Sequence, residues 1–151
     1  MSSTQASYKV TVDTIRINEI LSQLNDKDAK KAIKSALRKS VSIIRKEAQR
    51  NLGAVVKANN LKKEVHVAIY RNASGARVDL LDRRKRGSKA FTLKFFELGT
   101  KERATNKGAN RGSITASYFF RTAVESKKNE AEKSLEQNII NSIMKVVNKK
   151  K

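Results

Sequence analysis

Hydrophobic positions along the chain switch between a period of two and a period near 3.6, and the switches divide it into elements. Tyr8, Val10 and Val12 alternate with Lys9, Thr11 and Asp13, which predicts a short first strand. Ile17, Ile20, Leu21 and Leu24 follow helical spacing, and Asn25-Asp26 breaks that helix. Asp26 or Asp28 then caps a second helix by accepting its free backbone N–H groups. The stripe Ile33, Leu37, Val41, Ile44 and Ala48, with Ala36 and Ser40 alongside, makes this the clearest element, and Gly53 is expected to end it. Its other faces carry Lys30, Lys31, Lys34, Arg38, Lys39, Arg45, Lys46 and Arg50.

Residues 57–63 are polar and read as a loop. Val65, Val67 and Ile69 alternate with His66, Ala68 and Tyr70, residues 77–81 form a partner strand, and the turn residues 72–75 between them predict a hairpin. Phe91, Leu93 and Phe95 alternate with Thr92 and Lys94, so residues 91–98 are expected to form the central strand, stopped by Gly99-Thr100. A last helix runs from about residue 116 to 147, with Ala131, Leu135, Ile139, Ile143 and Val147 on one side, joined by Ile140 and Met144. The basic segment 83–89 and the aperiodic segment 101–113 are expected to be mobile loops. Strand, two helices, hairpin, strand and long helix predict one α+β domain over residues 1–151, ordered from about 8 to 147. Its architecture would be a small antiparallel sheet with helices packed on one face and a long C-terminal helix.

Composition narrows the function more than the fold. The absence of proline, where an average chain of this length has about seven or eight, favours long uninterrupted helices. No cysteine excludes disulfides and thiolate metal sites. No apolar leader segment opens the chain and no run reaches the length of a membrane span, so neither a signal peptide nor a membrane partner is expected. The net charge of +20, from 34 basic against 14 acidic residues, implies attraction to polyanions.

Candidate chemistry is sparse. The one histidine, His66, reads as a solvent-facing strand residue without a carboxylate or cysteine partner. Glu97 is the single carboxylate of the aromatic stretch; pairing with an arginine or hydrogen bonding to a nearby turn fits it better than acid catalysis. No glycine loop has phosphate-cradling spacing, so neither an enzyme nor a cofactor is expected. The basic residues Arg83, Arg84, Lys85, Arg86 and Lys89, and then Lys101, Arg103, Lys107 and Arg111, are the candidate contacts to a partner protein or to DNA. As the loops flank one central strand, they should emerge at opposite edges of the sheet. Phe91, Phe95, Phe96, Phe119 and Phe120 are assigned to the core, so a base-stacking platform is not expected and any DNA contact would be to phosphates.

The pair of segments FFELGT at Phe95, Phe96, Glu97, Leu98, Gly99 and Thr100, and SYFFRTAVE from Ser117 through Tyr118, Phe119 and Phe120 to Glu125, carries a resemblance. An aromatic stretch closing on Glu-[aromatic or Leu]-Gly-Thr, a polar loop, then an aromatic pair opening a C-terminal helix resembles the small tail-completion or head–tail joining proteins (neck or minor tail components) of long-tailed bacteriophages. The family's usual prolines after the first long helix and around the aromatic pair are replaced by Asn51-Leu52-Gly53 and Ser117-Tyr118-Phe119-Phe120. The resemblance implies a structural virion or prophage protein, a ring subunit between the portal side and the tail tube. It also implies a homo-oligomeric ring, six subunits matching the family's tail symmetry, with connector and tail-tube proteins as partners. The expected location is the virion neck or tail, and the host cytoplasm during assembly. Composition by itself supports a different reading, a nonspecific, charge-driven nucleic-acid-binding protein.

Overall fold

The computed structural model describes residues 7–11, 26–57, 59–80 and 90–149. The expected helix around residues 17–24 and the basic segment 83–89 lie outside them. The elements are β1 (Ser7–Thr11), α1 (Asp26–Val55), α2 (Asn59–Lys62), β2 (His66–Ile69), β3 (Gly75–Asp79), α3 (Ala90–Leu98), β4 (Arg103–Ala104), β5 (Asn110–Gly112) and α4 (Phe119–Lys149). The class is α+β, as expected.

Two long helices, α1 of 30 residues and α4 of 31, form the body. Their buried positions recur every four residues: Ala32, Ala36, Ser40, Ile44, Ala48 and Leu52 on α1, and Ala131, Leu135, Ile139 and Ile143 on α4. Rows of this spacing are the ridges that interdigitate when helices pack. Each four-residue step turns about 40° around a helix of 3.6 residues per turn, so the buried stripe winds around the axis. Small residues in the rows let the backbones approach. The Ser40 hydroxyl donates to the Ala131 carbonyl at 2.6 Å, and the Asn51 side chain donates to the Phe119 carbonyl at 3.1 Å. These two bonds, 40 with 131 and 51 with 119, set the helices antiparallel. One expectation is corrected: Ile140 and Met144, each one residue past a buried position and so turned about 100° from it, lie off the α4 row and are exposed.

The three-stranded antiparallel sheet has the order β1-β3-β2. Its register places Tyr8 and Val67 beside Val78, and Val10 and Ile69 beside Ala76. These six side chains share one face, which belongs to the apolar core, and α1 packs on β2 and β3. Lys9, His66, Arg77 and Asp79 occupy the other face, as the two-residue period requires. The hairpin turn falls where expected, with Ala73 donating to the Tyr70 carbonyl and the Asn72 side chain accepting from Ser74.

Two helix boundaries differ from the sequence reading. Helix α1 continues through Gly53 to Val55, and the segment read as a loop contains the short α2. Gly53 has a packing role there: a Cβ on it would stand 2.9 Å from the Lys62 side chain, which lies across it. The Gln49 amide donates to the Lys62 carbonyl at 2.9 Å and fastens the same crossing.

Tyr8 joins the sheet to α4. Its phenol pKa is raised above the ordinary value of 10.0, by burial first and then by the Glu132 carboxylate with which it hydrogen-bonds. The folded state thus favours the neutral phenol. This contribution to stability is complete below about pH 10 and is lost as pH rises through the raised value. Tyr8→Phe should flatten the alkaline limb of a stability–pH profile measured by urea unfolding; an unchanged alkaline limb would show that Tyr8 does not govern it.

Candidate functional site

Residues 91–98, expected to be a central strand, are helical. A short apolar run does not distinguish strand from helix by periodicity, and here the four-residue relation wins. Leu93 and Glu97, four apart, point inward at 0% and 2% exposure, and Phe96 packs against the core. Phe95 is 37% exposed and Leu98 49%, so Phe95 is not a core residue.

Gly99 ends α3 with a positive φ of 74° and donates its N–H to the Phe95 carbonyl at 2.9 Å, a left-handed C-terminal cap. A second constraint excludes a side chain there. A Cβ on Gly99 would approach the Ala116 nitrogen and the Ile114 oxygen to 2.8 Å.

Those backbone atoms belong to the segment leading into α4, and the two motif halves meet along it. Thr100 N–H donates to the Ile114 carbonyl at 2.8 Å, and the Ile114 N–H returns a bond to the Thr100 hydroxyl at 2.9 Å. Ser117 donates to the Phe96 carbonyl through both its backbone N–H, at 2.9 Å, and its hydroxyl, at 2.7 Å. Tyr118 N–H donates to the Glu97 carbonyl at 3.1 Å.

The Glu97 carboxylate completes the clip. Its Oε2 accepts from Phe120 N–H at 2.7 Å and its Oε1 from Arg121 N–H at 3.0 Å. These are the second and third residues of α4, whose N–H groups have no partner inside the helix. A Ser, Thr, Asp or Asn immediately before a helix normally caps them. Here Tyr118 holds that place with a positive φ of 50°, so Glu97 caps the helix from another element. Its negative charge also faces the positive end of the helix dipole. Phe119 and Phe120, each 2% exposed, are core as expected. Tyr118 is exposed and lies near the Arg121 guanidinium, 5.8 Å from ring centroid to charge centre.

From this clip the segment 101–113 projects as an arm. It contains a two-stranded ribbon, with Arg103 opposite Gly112 and Ala104 opposite Asn110, where a loop without regular structure was read. All its residues are exposed except the half-buried Thr105, whose backbone and hydroxyl close the tip onto Ala109. Lys101, Arg103, Lys107 and Arg111 are therefore brought onto one protrusion, with Glu102 as its single acid. The companion set Arg83, Arg84, Lys85, Arg86 and Lys89 falls outside the described residues. The expected flanking of a central strand does not hold, because α3 is no strand.

His66 departs from the solvent-facing reading. Its side chain is 20% exposed, and the cross-strand register sets its Nδ1 3.9 Å from Asp79 Oδ1. The other oxygen of Asp79 pairs with Arg77 Nε at 3.0 Å. Among the described residues no group of three or more His, Cys, Asp or Glu is placed to hold a metal, and no helix is long and apolar enough to cross a membrane. Asn51 and Ser117 were missed as clip residues. Each acts on a backbone carbonyl far away in sequence, and no local pattern marks such a role. Scans of the chain against protein-family models, curated proteins and solved structures find no match.

Proposed function

We propose that the protein is a structural component of a long-tailed phage or prophage particle, a ring subunit that completes the tail or joins it to the head. One observation carries the reading. The FFELGT and SYFF segments, which bear the resemblance to tail-completion and head–tail joining proteins, build one hydrogen-bonded clip, and from that clip a basic, exposed arm extends. An arm of this kind buries little against its own chain, so its use lies in what it meets. In a ring, identical arms would form a crown facing a connector or tail-tube ring. The exposed Phe95, Leu98 and Tyr118 beside the clip offer apolar area for a neighbouring subunit.

The test replaces Lys101, Arg103, Lys107 and Arg111 together by serine. The variant should melt within a few degrees of the parent, since little folding energy rests on exposed charges. Particles assembled with it should accumulate as unjoined heads and tails under the electron microscope. Normal joining would reduce the arm to a solvated connection. A chain that stays monomeric by sedimentation with tail tubes present would remove the ring itself and leave the charge-driven nucleic-acid reading.

A further inference from the structure

The densest unpartnered charge among the described residues lies on α1, away from the arm. Lys27, Lys31, Lys34 and Arg38 are spaced four, three and four residues apart. This spacing keeps close to 3.6 residues per turn, so the four lie in a nearly straight line along the helix, covering about 16 Å of its axis. The buried rows of the same turns, Ala29, Ala32, Ile33 and Ala36, lie on the opposite side. Lys27, Lys31 and Arg38 are exposed and Lys34 is half-buried. None of the four forms an ion pair with a described residue.

The fold explains where the line stops. The buried stripe winds around α1, so at Val41 the core occupies the side that Arg38 had left exposed. Arg45, next on the line, is drawn inward and donates through Nε to the Val65 carbonyl at 2.9 Å. The sheet and α2 thus cover the C-terminal half of α1, and the basic line is confined to its first turns. Between Asp28 and Glu47 the helix has no acidic residue to neutralise it.

We infer that this face of α1 is a docking surface for the phosphate backbone of double-stranded DNA, bound without sequence preference. A duplex presents about one negative charge per 1.7 Å of axis, both strands counted, and a row of cations about 4.5–6 Å apart on an already folded helix meets it at the cost of side-chain freedom alone. Contacts from such a line to phosphate oxygens position the chain and carry no sequence information. An acidic protein face is the other candidate occupant, and it would leave the parent without duplex affinity. The inference goes beyond the head–tail reading and does not depend on it.

The experiment measures binding of the full chain to a short mixed-sequence duplex across a salt series, for three proteins. One is the parent; the second has Lys27, Lys31, Lys34 and Arg38 changed to alanine. The third has the exposed Lys128, Lys133, Lys145 and Lys149 of α4 changed to alanine. Both variants go from +20 to 20 − 4 = +16, and alanine preserves helix propensity. Circular dichroism confirms that each stays folded. The α1 variant should bind about tenfold or more weakly near 0.1 M salt, with a log–log salt slope shallower by about three to four, the value for as many lost phosphate contacts. The α4 variant should keep most of the parental slope. Equal losses in the two variants would assign binding to net charge alone and overturn the inference, as would an α1 variant that binds like the parent or a parent with no duplex affinity. Head–tail joining scored on the same variants separates the two proposals: lost duplex affinity with normal joining sustains the α1 surface and detaches it from assembly.

Discussion

Phe120→Ala should destabilise the protein by about 3–5 kcal/mol, the usual cost of emptying a buried phenylalanine site, because the lost transfer free energy and the remaining cavity add. Phe120 is 2% exposed and belongs to the single core cluster that joins α1, α4 and the sheet. Against a total stability of about 5–15 kcal/mol for an ordinary domain, one such change removes a large share. Phe95→Ala is the internal comparison. Phe95 is 37% exposed on α3, so its truncation should cost about 1–2 kcal/mol, the share of a buried phenylalanine's transfer free energy that its covered area represents and well below the buried benchmark. Urea unfolding of the two variants measures both. Similar costs would mean that the aromatic stretch packs as the sequence alone suggests, with both faces covered.

Glu97→Ala should have the second largest effect, about 3 kcal/mol, since hydrogen bonds to a charged group each contribute about 1.5–3 kcal/mol and two N–H donors lose their acceptor. The loss is not simply additive, as water can reach part of the exposed first turn at Arg121. Glu97→Gln should cost roughly half as much: one oxygen still accepts, while the charge facing the helix dipole is gone. Amide exchange gives a reading that stability alone does not. Protection should fall specifically at Phe120 and Arg121 in the alanine variant, while the Ser40-to-Ala131 crossing in the middle of the helix pair keeps its protection. Protection at those two amides equal to that of the parent would show that another group caps α4.

The long elements were legible because their signals are local and repeated. Ile33, Leu37, Val41, Ile44 and Ala48 recur over several helical turns, and no strand pattern competes with them; all five are buried. The hairpin was legible for a similar reason, with alternating Val67 and Ile69 and turn-forming Asn72 to Gly75 in one short stretch. The central aromatic segment was misread because its alternation of Phe91, Leu93 and Phe95 spans too few residues. Its decisive contacts come from a segment about twenty residues later. Ile140 and Met144 were misplaced for a geometric reason. Each follows a buried residue, Ile139 or Ile143, by one position, and one position turns a side chain about 100° around the helix, away from the buried row.

Sequence by itself determined the class, the two long helices, the hairpin, the burial of Phe119 and Phe120 and the excess of positive charge, all of which follow from composition or from periods repeated within one element. Only the tertiary structure decided what Glu97, Gly99 and Thr100 do. Their partners are backbone groups at 114–121, and backbone groups leave no residue-specific mark in a sequence. It also decided which cations stand together. The line from Lys27 to Arg38 faces outward because the core stripe lies on the other side of those turns, and Arg45 turns inward because the Val65 carbonyl is there to meet it.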